Sequence, residues 1–171
     1  MPIKRVYVSL ETEDMLKKHT IEILNEIRNE DEELEKLIKA IIEVETAHYH
    51  FAIRYEPQLK KQDWYLKLLN KEEQQNDFAY CSYGLTQILY GIAKYYGYSE
   101  AITNLFYPKN CIKYSFLYLK DLFKRYKNIK DVIASYNSGI PKKNENNEYI
   151  NQKYVDSVYE IYKFRYNGKY D

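Results

Sequence analysis

Residues 31 to 46, DEELEKLIKAIIEVET, set Leu34, Leu37, Ile38, Ile41 and Ile42 at the i, i+3, i+4, i+7 spacing of an amphipathic helix. Glu45 continues that apolar series. At about 100° per residue it projects within about 20 to 40° of Leu34, Ile38 and Ile41, whereas Glu43 points to the opposite, solvated side. Of the two, Glu45 is the one expected to be buried. A carboxylate in an apolar setting, near the negative end of a helix dipole, has its pKa raised. That is the condition a general acid needs at neutral pH. The same helix allows a plainer reading, in which Glu45 only ends the helix and pairs with a Lys or Arg or reaches solvent.

Helical patterns cover most of the chain. Thr12 is placed to cap a first helix, with Glu13 and Asp14 in its first turn, running through Met15, Leu16, Ile21, Ile23, Leu24 and Ile27 to about Asn29. After the second helix, AHYHFAIRYEP reads as irregular or extended chain with at most a short two-stranded element near residues 48 to 56, since the residue before Pro57 is biased away from helix. Pro57 is suited to open another helix through Trp64, Leu66, Leu68 and Leu69, and Leu85 to Tyr96 is a further one, ended by Gly97. Ser99 is expected to cap a short turn. Lys109 to Lys127 reads as a long helix, Asp131 to Tyr136 as a brief one, 138 to 147 as a polar loop, and Glu148 to Tyr166 as the last helix. The expected fold is mainly α, with seven or eight helices in a single domain over 1 to 171: an N-terminal helical extension over 1 to 30 and a core over 31 to 166.

With 26 basic and 25 acidic residues the net charge is +1, so the chain lacks the basic footprint of a nucleic-acid binder or a polybasic membrane anchor. The start, MPIKRVYVSLETEDMLKK, has no apolar run of about 7 to 15 residues before charges appear, unlike a Sec-type signal. No stretch approaches a membrane span, so no membrane insertion is expected. The expectation is a soluble protein made in the cytoplasm, acting as a monomer. Cys81 and Cys111 lack metal-ligand spacing and read as free core thiols. His48 and His50 share one side of an extended segment, but no third ligand stands near them, so packing or a cleft wall is favoured over a metal site. No metal or cofactor is expected. The 21 tyrosines are taken first as core and surface filler.

Two further blocks set small or turn-forming residues beside hydrogen-bonding side chains. In Ser82-Tyr83-Gly84-Leu85-Thr86-Gln87, Gly84 permits a close approach or an unusual φ at a helix entrance, and the Gln87 amide both donates and accepts. In Ser135-Tyr136-Asn137-Ser138-Gly139, Gly139 is a plausible helix stop that leaves Tyr136 and Asn137 at the helix end. Each block singly is an ordinary helix boundary. Taken in order with Glu45-Thr46, they resemble the lytic transglycosylase domain of the lysozyme-like superfamily, in which a catalytic Glu followed by Ser ends one helix, a GLMQ block opens another, and an AYNxG block closes a later one. The resemblance covers about Leu34 to Tyr162. The run FAIRYEP at 51 to 57 looks like a phage and prophage variant, and the Tyr154-Val155 segment is similar to the family's end.

That resemblance implies a lysozyme-like fold around a cleft that binds peptidoglycan glycan strands. It implies that Glu45 protonates the glycosidic oxygen between N-acetylmuramic acid and N-acetylglucosamine and then acts as base, while the muramic 6-hydroxyl closes a 1,6-anhydro ring. Tyr136 would orient Glu45. Thr46, Ser82, Gly84, Gln87 and Asn137 would contribute to substrate binding, with Tyr49 and Tyr83 as the rings best placed to stack on sugars. Departures from the pattern are Thr46 for Ser, Thr86 for Met, which removes an apolar sugar contact, Tyr49-His50 for Asn-Pro, and Arg54 for a frequent Ser, whose contact Ser82 would replace. A hydrolytic muramidase is the alternative, and would normally pair the acid with a second carboxylate, for which Glu56, Glu72, Glu73 and Asp77 are candidates. A silent glycan-binding or virion protein is a third reading. Without a signal peptide, such an enzyme would reach the wall through a phage lesion, a virion or a secretion apparatus.

Overall fold

The computed structural model describes residues 10 to 171. Helix α1 spans Leu10–Glu30, so Thr12 lies inside its first turn and does not cap it; expectations for residues 1 to 9 fall outside the described residues. Leu16, Ile23 and Ile27 form its buried stripe, whereas Met15 and Ile21 are exposed. At about 100° per residue, Ile21 sits about 140° from Leu16, too far round to share that face. Helix α2, Glu32–Thr46, forms as its periodicity dictates. Asp31 caps it, its Oδ1 accepting from the backbone N–H groups of Glu33 and Leu34 at 3.1 and 3.0 Å. Leu37, Ile38, Ile41 and Ile42 are almost wholly buried, and the helix packs against α1 and against two helices of the second half of the chain, α5 (Pro108–Arg125) and α7 (Gln152–Glu160).

Between α2 and α5 the chain is mostly turns and a small sheet. Strand β1, Ile53–Tyr55, pairs antiparallel with β2, Cys81–Tyr83, which pairs antiparallel with β3, Ile88–Leu89, giving the order β1-β2-β3. The sheet therefore has three strands where two were expected. Its second hairpin absorbs the block read as a helix entrance: residues 84 to 87 are the turn, and helix α4, Tyr90–Tyr95, starts five residues later than the pattern suggested. Gly84 at φ +68° and Gln87 at +51° both take left-handed conformations that a helix start does not use. The expected helix from Pro57 to Leu69 breaks into a 3-10 turn, Pro57–Lys61, and helix α3, Asp63–Leu66.

A 3-10 turn over Ile102–Phe106, whose N-cap position is Ala101 and not Ser99 and which has no side-chain cap, leads into helix α5, Pro108–Arg125. Helix α6, Ile129–Ser138, is capped by Asn128, whose Oδ1 accepts from the N–H of Lys130 at 2.8 Å, and it stops at Gly139, as the sequence indicated. Helix α7, Gln152–Glu160, continues as a π-helical turn over Ile161–Arg165. It starts later than Glu148 because Tyr149 bridges back to Lys143 in the preceding loop. The fold is mainly α, as expected, with seven α-helices among the described residues.

The Gly84 turn joins the sheet to α5. A Cβ on Gly84 would lie 2.7 Å from the Leu105 carbonyl oxygen and 2.9 Å from Cys111 Sγ, at a φ that side chains rarely adopt. Gly84→Ala is therefore expected to destabilise the fold by about 2 to 4 kcal/mol. Thermal or urea unfolding of the purified variant measures this, and a loss below about 0.5 kcal/mol would show that the turn yields easily.

Candidate active site

Helix α2 carries several buried or half-buried carboxylates, and their surroundings differ. Glu33 is neutralised and hydrogen-bonded: it accepts from the Tyr162 hydroxyl at 2.6 Å, the Lys169 backbone N–H at 2.7 Å and Lys36 Nζ at 2.7 Å. Burial opposes ionisation there, but these donors hold its pKa below the usual carboxylate value. Glu35 pairs with Arg28 at 2.8 Å. Glu43 does lie away from Glu45, yet it is not solvated as the helical wheel suggested. The C-terminal segment covers it, supplying Arg165 and the Tyr166 hydroxyl as partners.

Glu45 is the exception among them. Its side chain is 5% exposed, and the cation facing it, Arg54, stands 3.8 Å away at Nη1, beyond hydrogen-bond distance. Burial raises its pKa, more than Arg54 and Tyr154 lower it, and the negative Glu56 adds to the rise. The Tyr154 hydroxyl is wholly buried beside this carboxylate; it interacts with Glu45, but no acceptor meets normal hydrogen-bond geometry. Just past Glu45-Thr46 the chain takes two successive left-handed non-glycine residues, Ala47 at φ +47° and His48 at +67°. Such conformations cost about 1 to 3 kcal/mol each and concentrate at functional sites.

Glu45 opens onto a cleft of about 390 Å³. One wall comes from Arg54, Glu56 and Gln58 with Trp64 of α3. Another comes from Ser82, Gln87, Ile88 and Leu89 of the hairpin, and the opposite side from Tyr136, Asn137, Ser138 and Gly139 at the end of α6. Thus the structure brings Glu45, Ser82, Gln87, Tyr136 and Asn137 to one cavity. Gln87 is fixed in place: its Nε2 donates to the carbonyls of Ala52 and Gly84, both at 3.0 Å, and its Oε1 accepts from Ser82 Oγ at 2.9 Å. Asn137 Oδ1 accepts from Asn151 at 2.9 Å.

Other expected site residues support the cleft from behind. Thr46 Oγ1 donates to the Leu85 carbonyl at 3.0 Å and the Ile42 carbonyl at 3.1 Å, tying the end of α2 to the hairpin turn. Gly84 shapes that turn. The Thr86 side chain, where the family commonly has Met, is fully buried and does not line the cleft; its hydroxyl donates to the Cys111 carbonyl at 3.2 Å and accepts from Ser115 at 2.7 Å. Tyr136 lines the cleft, but its hydroxyl donates to the Thr86 carbonyl at 2.8 Å and lies 2.9 Å from Ser115 Oγ. The Tyr136 hydroxyl is thus bonded away from Glu45, while both it and the Tyr154 hydroxyl interact electrostatically with that carboxylate. Tyr83 is buried, with its hydroxyl donating to Phe78 at 2.6 Å, and Tyr49 packs edge-on to Phe51; neither lines the cleft.

His50 is buried against α1, its Nε2 3.1 Å from Thr20 Oγ1, and burial lowers its pKa; His48 is exposed. Among the described residues no group of three His, Cys, Asp or Glu is arranged to hold a metal. Both cysteines are free and buried, and burial pushes the Cys111 thiol up to about 11. The residues that sequence reasoning gave too little weight are Arg54, Glu56 and Tyr154. Arg54 lies on β1 and Glu56 one residue past its end, two apart, and both line the cleft.

The family model described as "Transglycosylase SLT domain" matches residues 22–157, well over half of the chain. No curated protein and no solved structure matches.

The raised pKa of Glu45 has a consequence for stability. The native state holds this proton more tightly than the unfolded chain, where the carboxyl titrates near 4.5. Stability is thus undiminished below that pH and falls as pH rises from there through the folded value. Glu45→Gln, which removes the charge, is expected to raise the melting temperature at pH 7 by about 3 °C, equivalent to about 1 kcal/mol. At pH 4 the gain should largely vanish. Melting curves at the two pH values check this, and an equal gain at both would mean that the carboxylate is not held in an unfavourable setting.

Proposed function

The chain belongs to the transglycosylase SLT domain family, and on that premise we propose that it is a lytic transglycosylase of peptidoglycan in which Glu45 serves as acid and then as base. The observation that carries this reading is the setting of Glu45: a buried carboxyl at a cleft, its pKa raised by desolvation, with a cation near but not bonded to it. A carboxylic acid in that state holds its proton toward neutral pH and has it available for a leaving group.

In the proposed reaction Glu45 donates its proton to the oxygen that links C1 of N-acetylmuramic acid to N-acetylglucosamine, and the C1–O bond breaks with help from the substrate's N-acetyl group. The muramic 6-hydroxyl then attacks C1 of the same sugar. Its proton passes to the Glu45 carboxylate, which is thereby restored, and a 1,6-anhydro ring closes without consuming water. The attacking group is already part of the substrate, so the step gains the effective concentration of an intramolecular reaction and needs no second carboxylate. Gln87, Ser82 and Asn137 provide the polar cleft wall, and Tyr154 with Tyr136 limits the room around Glu45.

One observation favours the hydrolytic alternative: Glu56, of the four candidate second carboxylates, lines the same cleft. It is, however, engaged on both oxygens, by Arg54 Nε and by Gln58 Nε2 at 2.6 Å, which disfavours a role as a base for water. Glu73 is bound to Lys94 and Tyr90, and Asp77 to Lys60. The transglycosylase reading is accordingly preferred.

Glu45→Gln is expected to lower the clearing of purified peptidoglycan by about 10³-fold while leaving the circular dichroism spectrum unchanged. Wild-type digests should carry muramic ends that borohydride does not reduce. Lysis by the variant would remove Glu45 from its role, and borohydride-reducible ends would replace the transglycosylase by a hydrolase.

A further inference from the structure

Arg54 and Glu56 form a device at the mouth of the cleft. Arg54 has two carboxylates within reach. Its Nε donates to Glu56 Oε1 in a close charge-assisted hydrogen bond, whereas its Nη1 stops 3.8 Å short of Glu45 Oε2. Glu56 is itself held, since its other oxygen accepts from Gln58 Nε2 at 2.6 Å, and its side chain is only 17% exposed. Arg54 by contrast is 54% exposed, and among the described residues its guanidinium is bonded by Glu56 alone. Its long side chain has the freedom to close the remaining gap to Glu45 if that bond is lost.

Closure would matter. An arginine bonded directly to a buried carboxylate favours the ionised form strongly, and an ionised Glu45 has no proton to give. Complete absence of the cation would also be unfavourable, because the carboxylate formed after proton transfer would then be buried with no countercharge. The observed separation lies between these extremes: close enough to stabilise the carboxylate during the reaction, too far to fix it beforehand.

We propose that Glu56 is a positioning residue, a tether that holds Arg54 off Glu45 and so keeps Glu45 able to carry a proton. This rests on Glu45 being the acid of the proposed function. Among the described residues the ionisable groups facing Glu45 are Arg54 on β1, Glu56 just beyond it, Tyr136 on α6 and Tyr154 on α7. Burial places both tyrosines far above neutral pH, and Cys81, which senses Glu56, is likewise raised. Neither tyrosine nor Cys81 therefore adds a charge beside Glu45 around neutral pH.

The test is a double-substitution cycle on the full chain, read in two ways: carbon-13 titration of the Glu45 carboxyl, and the pH profile of kcat/KM for wall lysis. Glu56→Gln should lower the Glu45 pKa by about one pH unit or more and move the alkaline limb of the profile down with it. Arg54→Gln should move both upward. In the Arg54→Gln background, Glu56→Gln should shift Glu45 by a small fraction of its effect in the wild type, since no cation remains to swing. Gln58→Ala, which keeps every charge but loosens Glu56, should lower the Glu45 pKa by a lesser amount, and it serves if Glu56→Gln does not fold. An equal shift from Glu56→Gln with and without Arg54 would reduce Glu56 to a simple negative charge and overturn the tether; so would no shift in either Glu56→Gln or Gln58→Ala. The titration reads the carboxyl directly, so its outcome stands apart from activity: a lost tether leaves Glu45 as the acid, and an active Glu45→Gln enzyme would remove the premise separately.

Discussion

The structure turns on a carboxyl group taken out of water without a bonded countercharge. Burying an ionised carboxylate in this way is costly, and proteins ordinarily pair such a group or let it stay protonated. Helix α2 does both in different places. Glu33 and Glu35, at its start, have partners within hydrogen-bond distance, while Glu45, at its end, has Arg54 near and none bonded. The difference is built largely by tertiary structure: besides Lys36 on the same helix, Glu33 is satisfied by Tyr162 and Lys169 from the C-terminal segment, whereas the groups around Glu45 come from the sheet, α6 and α7.

Holding that arrangement requires three separate pieces of chain to meet with little slack. Thr46 bonds the helix end to the Leu85 carbonyl, Gln87 bonds the turn to Ala52, and Tyr136 bonds α6 to the Thr86 carbonyl. Each is a polar side chain satisfying a buried backbone group, where a lost partner costs more than the bond contributes when made. The turn of residues 84 to 87 is thus the hub on which α2, β1 and α6 are aligned. Its left-handed residues, with Ala47 and His48 beside Glu45, concentrate backbone strain around the cleft. On the proposed reading, that alignment is what presents one acid, with its proton, to a glycan strand.

Much of this was legible in the sequence because it follows from local periodicity. The apolar stripe of α2 fixed both the helix and the burial of Glu45, and Gly139 marked the end of α6. What escaped was set by contacts distant in sequence. Leu85 to Tyr96 has a helix-compatible pattern, yet its first residues form a hairpin because β2 pairs with both β1 and β3. Met15 and Ile21 are apolar positions of the first helix in the sequence, but their angle round α1 leaves them exposed. Glu43 looked solvated because the C-terminal segment that covers it lies more than a hundred residues away. The motif that resembles the family's places Tyr136 beside the acid, whereas its hydroxyl bonds the Thr86 carbonyl, and the buried hydroxyls that interact with Glu45 also include that of Tyr154, which stands in none of the three motif blocks. The alternation of Arg54 and Glu56 was visible, but that the pair faces Glu45 depends on strand β1 meeting the end of α2.

On the proposed reading one carboxyl serves as acid and then as base, and the cleavage consumes no water. Digestion of peptidoglycan in oxygen-18 water, followed by mass spectrometry of the released muropeptides, checks this. Newly formed muramic ends should carry no oxygen-18 at C1, whereas ends labelled at C1 as they form would make the enzyme a hydrolase.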